Sequence, residues 1–387
     1  MRASAAGAIE ERLACGDRFF AAEADRIARL CHRMAELFAR GGRLIAFGAS
    51  AADASDVRHV AVEFVHPVIV GKRALPALGV SCPDVGLLVR PGDIAMAFGD
   101  SPELAAAVRT ATSAGCLTVA FAPVGAEWEF GVPTSDPFVA QEQVETTYHV
   151  LWELVHVFFD HRGLLRGREH RPRHDTGASA FLYPFLAEAE VDLDPVLADV
   201  AASAVAKAAE AGALRAQTLG DGLPALDAAA GALRDRFAQG GKLLALGNGG
   251  SATDAMDAVA DLRRPPGHLR ARPAIDLTED APILTAVAND VGVEAIFARQ
   301  VIAYGHAHDA LLTFSTSGNS TNVIAALAEA RRRGLVTIAL VGYDGGRIAA
   351  EELADHVVVT RSEHIPRIQE AQASAWHVLR ELVEEGA

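Results

Sequence analysis

Cysteine is scarce in this 387-residue chain: Cys15, Cys31, Cys82 and Cys116 all lie in the first half, and none is in a Cys-x-x-Cys spacing. That excludes a framework of paired zinc thiolates and a secreted disulfide scaffold. It predicts reduced, buried thiols in a cytoplasmic protein. Positive charge is also short, with 35 Lys and Arg against 50 Asp and Glu and a formal net charge of −15. Such a balance argues against nucleic acid or an anionic membrane as a partner. A small anion stays possible, because backbone dipoles bind it locally whatever the net charge. No apolar run approaches the roughly 18 residues that span a bilayer. The opening MRASAAGAIEERLACGD is broken by Glu10, Glu11 and Arg12 before a signal-peptide core can form. What is plentiful is apolar: half of the residues are hydrophobic, enough at this length for two cores.

The chain reads as two copies of one unit. MAELFARGGRLIAFGASAAD (34–53) aligns with GALRDRFAQGGKLLALGNGGSATD (231–254), each a helix, a Gly-Gly stop, a basic residue, an apolar strand and a turn. The segment 91–122 aligns with 307–342 as strand, polar turn, amphipathic helix, Gly stop and strand. QEQVETTYHVLWELV (141–155) aligns with QEAQASAWHVLRELV (369–383), with Gln, Glu, His, Val-Leu and Glu-Leu-Val in register. Short apolar strands alternating with helices predict an α/β fold, a parallel sheet wrapped by helices in each copy. Ligands of such sheets bind at the carboxyl ends of the strands, where the polar turns fall. The Arg-, His- and Gly-rich stretch 160–179 reads as a solvated linker, and 187–218 as a lead-in helix. The expected domains are therefore 1–180 and 181–387.

LALGNGGSATD and FSTSGNSTNV are strand–turn–helix junctions rich in glycine and hydroxyls, the usual setting for an anion on backbone N–H groups. In the second, Ser315, Thr316, Ser317 and Ser320 offer hydroxyls, Gly318 allows close approach, and the helix start adds unpaired N–H groups. Capping alone needs one such residue, not four. In the first copy the equivalent turn, MAFGDSPELAAA, is three residues shorter, and Asp100 stands where the anion would sit. That pocket is expected not to bind phosphate, so replacing Ser101 should not change phosphate binding.

GKLLALGNGGSATDAMDAVADL, ILTAVANDVGVEAIFARQV, DALLTFSTSGNSTNVIAALAEARRRG and RIQEAQASAWHVLRELVE together resemble phosphoheptose isomerase, the sedoheptulose 7-phosphate isomerase branch of the sugar isomerase (SIS) fold. The resemblance covers about 230–385, and more distantly 30–158. It implies two SIS-type αβα sandwiches in tandem and a sugar-phosphate substrate. It further implies substrate contacts from Asn248, Gly249, Ser251, Asn289 and Asp290, with the phosphate on Ser315, Thr316, Ser317 and Ser320.

The family carries a His and a Glu four residues apart on the helix after the glycine turn, and a Gln and a His on the last helix. Many members use them as metal ligands, and the Glu and second His transfer protons. In the first copy His59, Glu63, Gln141 and His149 match; in the second Gln369 and His377 match, with Asp257 and Asp261 replacing the His and Glu. The i, i+4 spacing places each first pair on one helix face, as two ligands of one ion require. Gln141 and His149 are two turns apart, about 12 Å on a straight helix. They share an ion only if the helix starts late, bends, or the ligands come from different subunits.

Neither copy is complete. The resemblance implies an aldose–ketose isomerase working through an enediol(ate), with a divalent metal, zinc in the first instance. It implies a homodimer equivalent to the family's tetramer. The proton-transfer candidates are Glu63 and His149 in a composite site, or Asp261 and His377 if the second copy works alone. A non-catalytic sugar-phosphate-binding regulator is the alternative. His66, His156 and His161 lack any motif context and read as structural.

Overall fold

The computed structural model describes residues 2–68, 72–160, 165, 192–267 and 269–385. The expected boundary near 180 and most of the linker at 160–179, including His161, lie outside them. The described chain forms two compact units: residues 14–136 with 143–209, and residues 1–13 and 137–142 with 210–387.

The first unit is built around a parallel sheet of β1 (Leu44–Gly48), β2 (Ala77–Ser81), β3 (Ile94–Phe98), β4 (Leu117–Ala120) and β5 (Trp128–Glu129), in the order β2-β1-β3-β4-β5. Its helices are α1 (Arg2–Ala39), α2 (Ala51–Val65), the single turn α3 (Val85–Leu88), α4 (Pro102–Ser113) and α5 (Pro137–Asp160). The second unit's sheet contains β6 (Leu243–Leu246), β7 (Ala274–Asp276), β8 (Ala310–Ser315), β9 (Val336–Gly342) and β10 (His356–Thr360), all parallel, in the order β10-β9-β8-β6-β7. Its helices are α6 (Leu193–Ala238), α7 (Gly250–Arg263), α8 (Ala281–Asp290), α9 (Ile296–Tyr304), α10 (Thr321–Arg332), α11 (Gly346–Ala350) and α12 (Ile365–Glu385). Helices α1, α5 and α6 contribute residues to both units. The lead-in helix expected at 187–218 starts, among the described residues, at Leu193 and runs through Pro224 to Ala238.

Counted from the first strand of each copy, both sheets have the order 2-1-3-4-5, so the duplication extends to topology. Successive strand residues face opposite sides. Thus Leu243 and Ala245 join one buried cluster of the second unit, while Leu244 and Leu246 join the other. In the first unit Ile94, Met96 and Phe98 face one cluster, and Ala95 and Ala97 the other.

The repeated Gly-Gly has a physical cause. Gly41 and Gly240 sit at φ +95° and +78°, the left-handed helix stop that favours glycine. A Cβ on the next glycine would lie 2.3 Å from Gly92 O in one copy and 1.8 Å from His308 O in the other. The basic residue that follows anchors the first strand to the third. Arg43 meets Asp93 at 2.6 Å, and Lys242 meets Asp309 at 2.6 Å. All four cysteines are buried free thiols, as their scarcity predicts.

The strand order reverses between the first and third strands of each sheet, opening a crevice at their carboxyl ends. In the second unit this brings the turn after β6 beside the turn after β8.

Candidate active site

The turn after β8 is held open by its own backbone. Ser315 Oγ accepts from Gly318 N–H at 3.1 Å, and Ser317 Oγ from Asn319 N–H at 3.2 Å. Each hydroxyl therefore keeps its proton to donate. Ser320 is the N-cap of α10, yet its side chain makes no capping bond. Gly318 adopts φ +62°, and a Cβ on it would lie 2.1 Å from Gly345 O, so no other residue fits this turn without a shift. Neither α10 nor α7 has an acidic residue in its first turn. Both starts thus present positive dipole ends without an internal counter-charge.

The turn after β6 is tied to α10 by a reciprocal amide pair. Asn248 Nδ2 donates to Asn322 Oδ1 at 3.0 Å, and Asn322 Nδ2 to Asn248 Oδ1 at 2.9 Å. Gly249 caps α7 at φ +58°, and Ser251 is buried. Asn289 and Asp290, at the end of α8, are exposed and bonded to each other at 2.7 Å.

In the first copy the equivalent turn is filled from within. Asp53 Oδ2 accepts from Ala49 N–H at 3.1 Å and Ser50 N–H at 2.8 Å, while Ser50 Oγ accepts from Asp53 N–H. The same carboxylate lies so near the turn after β3 that a Cβ on Gly99 would be 2.6 Å from it. Ser101 caps α4 through Leu104 N–H at 3.1 Å. The Asp53 carboxylate thus takes the N–H groups of the turn after β1 and stands against the turn after β3, where Asp100 is exposed. The Ser50/Asp53 capping box was the missed signal.

Each unit brings together three buried metal-ligand types. In the first, His59 Nε2 and His149 Nε2 are 3.3 Å apart, with Glu63 Oε1 4.0 Å from His59 Nε2. Two ligand nitrogens of a tetrahedral zinc with bonds of about 2.0–2.1 Å stand roughly 3.3–3.4 Å apart, so the pair fits such an ion. Burial, then the neighbouring His149, holds His59 well below the usual histidine range. It is therefore neutral, as a ligand must be. Burial pushes Glu63 up to about 7, with His149 opposing and Glu153 adding to the rise.

In the second unit Asp257, Asp261 and His377 converge. His377 Nε2 lies 3.5 Å from Asp257 Oδ2 and 3.6 Å from Asp261 Oδ2, while Trp376 Nε1 donates to Asp261 at 2.8 Å. Burial and then the Asp257 charge raise the Asp261 carboxyl well above the usual range. Burial alone would lower His377, but the carboxylates of Asp257 and Glu142 outweigh it and push the imidazole up to about 10. Two carboxylates and one imidazole form a harder donor set than the first unit's pair of imidazoles.

Gln141 belongs with this second cluster. Its Nε2 donates to Asp257 Oδ1 at 2.6 Å. Helix α5 starts at Pro137, so Gln141 and His149 are both helical and stay two turns apart. Gln369 stands two turns before His377 on α12 in the same way. Sequence reasoning also missed Glu142, Phe138 and Arg12. Phe138 stacks on His377 with ring centroids 4.4 Å apart, and Glu142 accepts from His377 Nδ1 at 2.9 Å. The aligned Gln-Glu pairs at 141–142 and 369–370 carried a signal for Glu142 without giving its role.

A family model described as "SIS domain" matches residues 208–342, which include both turns, Asp257 and Asp261. Over 162 residues, 42% of this chain, the sequence is 46% identical to the phosphoheptose isomerase of Citrifermentans bemidjiense and covers 83% of that protein. This chain belongs to the phosphoheptose isomerase family. The family's member from Chlorobaculum tepidum is 47% identical over 161 residues, 41% of this chain and 76% of that one. The tandem SIS fold extends beyond the part that such relatives match. The C-terminal domain of glucosamine-fructose-6-phosphate aminotransferase from Francisella tularensis superposes with a TM-score of 0.62 at 11% identity, covering 97% of this chain and 93% of that one. Among the described residues no helix is long and apolar enough to cross a membrane.

Proposed function

We propose that this phosphoheptose isomerase relative is a sugar-phosphate aldose–ketose isomerase acting on a heptose 7-phosphate, interconverting sedoheptulose 7-phosphate and glycero-manno-heptose 7-phosphate. The observation that carries the reading is that one unit holds both an acid-free, hydroxyl-rich turn and a buried cluster of Asp257, Asp261 and His377. Asp257 stands seven residues after Gly250 on α7, about 10 Å along the helix axis. The sugar chain would bridge that length with its phosphate at the turns and its carbonyl end towards the cluster.

Ser315, Thr316, Ser317 and Ser320 with the α10 N–H groups bind the phosphate, and Asn248, Gly249 and Ser251 border the sugar. Asp261 takes the proton alpha to the carbonyl, giving an enediol(ate), and His377 moves a proton on the oxygens. A carboxyl raised by burial suits that exchange near neutral pH. Asp257, Asp261 and His377, with Gln141 beside them, would hold a divalent ion there, and such an ion polarises the carbonyl when bound. His59, Glu63 and His149 form the set better suited to zinc. The working assembly is a homodimer of four SIS units, and each domain is centred on the sheet of one sequence copy.

One observation favours the regulator instead: His377 faces three carboxylates, an ion-paired arrangement that binding alone could use. The test is direct. Sedoheptulose 7-phosphate is incubated with the chain supplied with zinc or manganese, and the aldose is followed by NMR beside a thermal-shift titration. Turnover supports the isomerase, whereas stabilisation by the sugar phosphate without turnover supports the regulator.

A further inference from the structure

Glu142 has no part in the chemistry above, yet it is the group that His377 leans on. It is fully buried, and each oxygen is engaged. Oε1 accepts from His377 Nδ1 at 2.9 Å, and Oε2 accepts from the Ser374 hydroxyl at 2.6 Å. Arg12 Nε donates to both oxygens, at 3.0 and 3.2 Å. The Glu142 backbone carbonyl accepts from Arg215 Nη2 at 3.0 Å, so the residue is fixed at both ends.

We infer that Glu142, from the first copy's last helix, is the positioning residue for His377 in the second copy. It accepts from Nδ1 and so holds the ring with Nε2 aimed at Asp257 and Asp261. A carboxylate is acceptor-only, so Nδ1 must be the donor in that contact. Nε2 is thereby left to face the two aspartates at 3.5 and 3.6 Å. The hydrogen bond fixes rotation within the ring plane. Phe138, one helical turn earlier, fixes the plane itself by stacking at an interplanar angle of 14°. Arg12 compensates the buried negative charge and keeps Glu142 ionised, since an unpaired buried carboxylate would take up a proton. Partners of this kind fix the ring orientation of a functional histidine.

The catalytic part of this inference rests on reading His377 as a proton-transfer group, so its test has a readout independent of turnover. In full-length protein with ring-¹⁵N histidine, with His377 assigned by its loss in His377→Gln, wild type should show a protonated Nδ1 with a far-downfield proton. Glu142→Gln should shift or abolish that resonance. It should lower kcat for sedoheptulose 7-phosphate by about 10- to 100-fold, with KM within about threefold. Ser374→Ala, which leaves the Glu142–His377 bond in place, should keep the ring signal. A wild-type ring with a bare Nδ1, a Glu142→Gln ring spectrum superimposable on wild type, or an unchanged kcat in that variant overturns the inference. If Glu142→Gln does not fold, the wild-type ring still decides. If wild type shows no turnover, the isomerase reading fails and the ring spectra alone judge Glu142.

Discussion

Ser317 and Ser320 carry the most direct residue-scale expectation. Each keeps a hydroxyl available at a helix start free of acidic residues. Ser317→Ala or Ser320→Ala should weaken sugar-phosphate binding by about 1.5–3 kcal/mol through loss of a charge-assisted hydrogen bond. Ser101→Ala should leave it unchanged, because Ser101 caps α4 in the first copy, where the Asp53 carboxylate stands against the turn after β3. Calorimetric titration separates the two cases, and equal losses would contradict the assignment of phosphate to the second copy. The sequence made this turn legible because four hydroxyls around one glycine exceed what capping needs. The His59–Glu63 pair was legible through the family resemblance, with the i, i+4 spacing placing both on one helix face. Glu142 was not, because its role comes from a contact 235 residues away in sequence. Asp53 was hidden for a different reason: a capping box reads as plain helix punctuation until its carboxylate is seen against the neighbouring turn.

At the scale of elements, the repeated anchor between the first and third strands makes a pH-dependent expectation. Asp309 accepts from Lys242 N–H at 2.9 Å, from Lys242 Nζ at 2.6 Å and from His306 N–H at 2.9 Å. Burial opposes, but these bonds hold its carboxyl below the ordinary 3.8. In the acid range around and below 3.8 the unfolded chain therefore binds more protons here than the folded one. The stabilisation is complete above about pH 3.8 and lost as the pH falls through the lower folded value. Asp309→Asn should cost on the order of 1–3 kcal/mol at pH 7 and flatten the fall in urea midpoint between pH 5 and 3. A variant as acid-sensitive as wild type would remove Asp309 from the account. The Gly-Gly-basic motif was visible in both copies, but its Asp partner before the third strand emerges only in the fold. The helices were less so: α5 reads in sequence as one element of the first copy, yet its first two turns hold Phe138, Gln141 and Glu142 against the second unit's cluster. Local periodicity specifies a helix face, but not which half of a duplicated chain that face serves.

For the whole molecule, duplication has split the parts of a repeated site unevenly. The first unit keeps two histidines and a glutamate but sets the Asp53 carboxylate against its shortened turn. The second keeps the open turn, and its cluster of Asp257, Asp261 and His377 is bordered by Gln141 and Glu142 from the first copy's last helix. The alternation of apolar strands, the turn chemistry and the repeat made the tandem SIS fold legible. Which cluster performs the chemistry was not, because each copy lacks a different matched feature. In the proposed isomerase the second unit's cluster transfers the protons. The direct measurement is kcat for sedoheptulose 7-phosphate in Asp261→Asn and Glu63→Gln, each keeping shape while removing the carboxylate. The account predicts a fall of orders of magnitude for Asp261→Asn with sugar-phosphate binding largely kept, and near wild-type turnover for Glu63→Gln. Full turnover in Asp261→Asn with loss in Glu63→Gln would contradict it and place the chemistry on His59, Glu63 and His149.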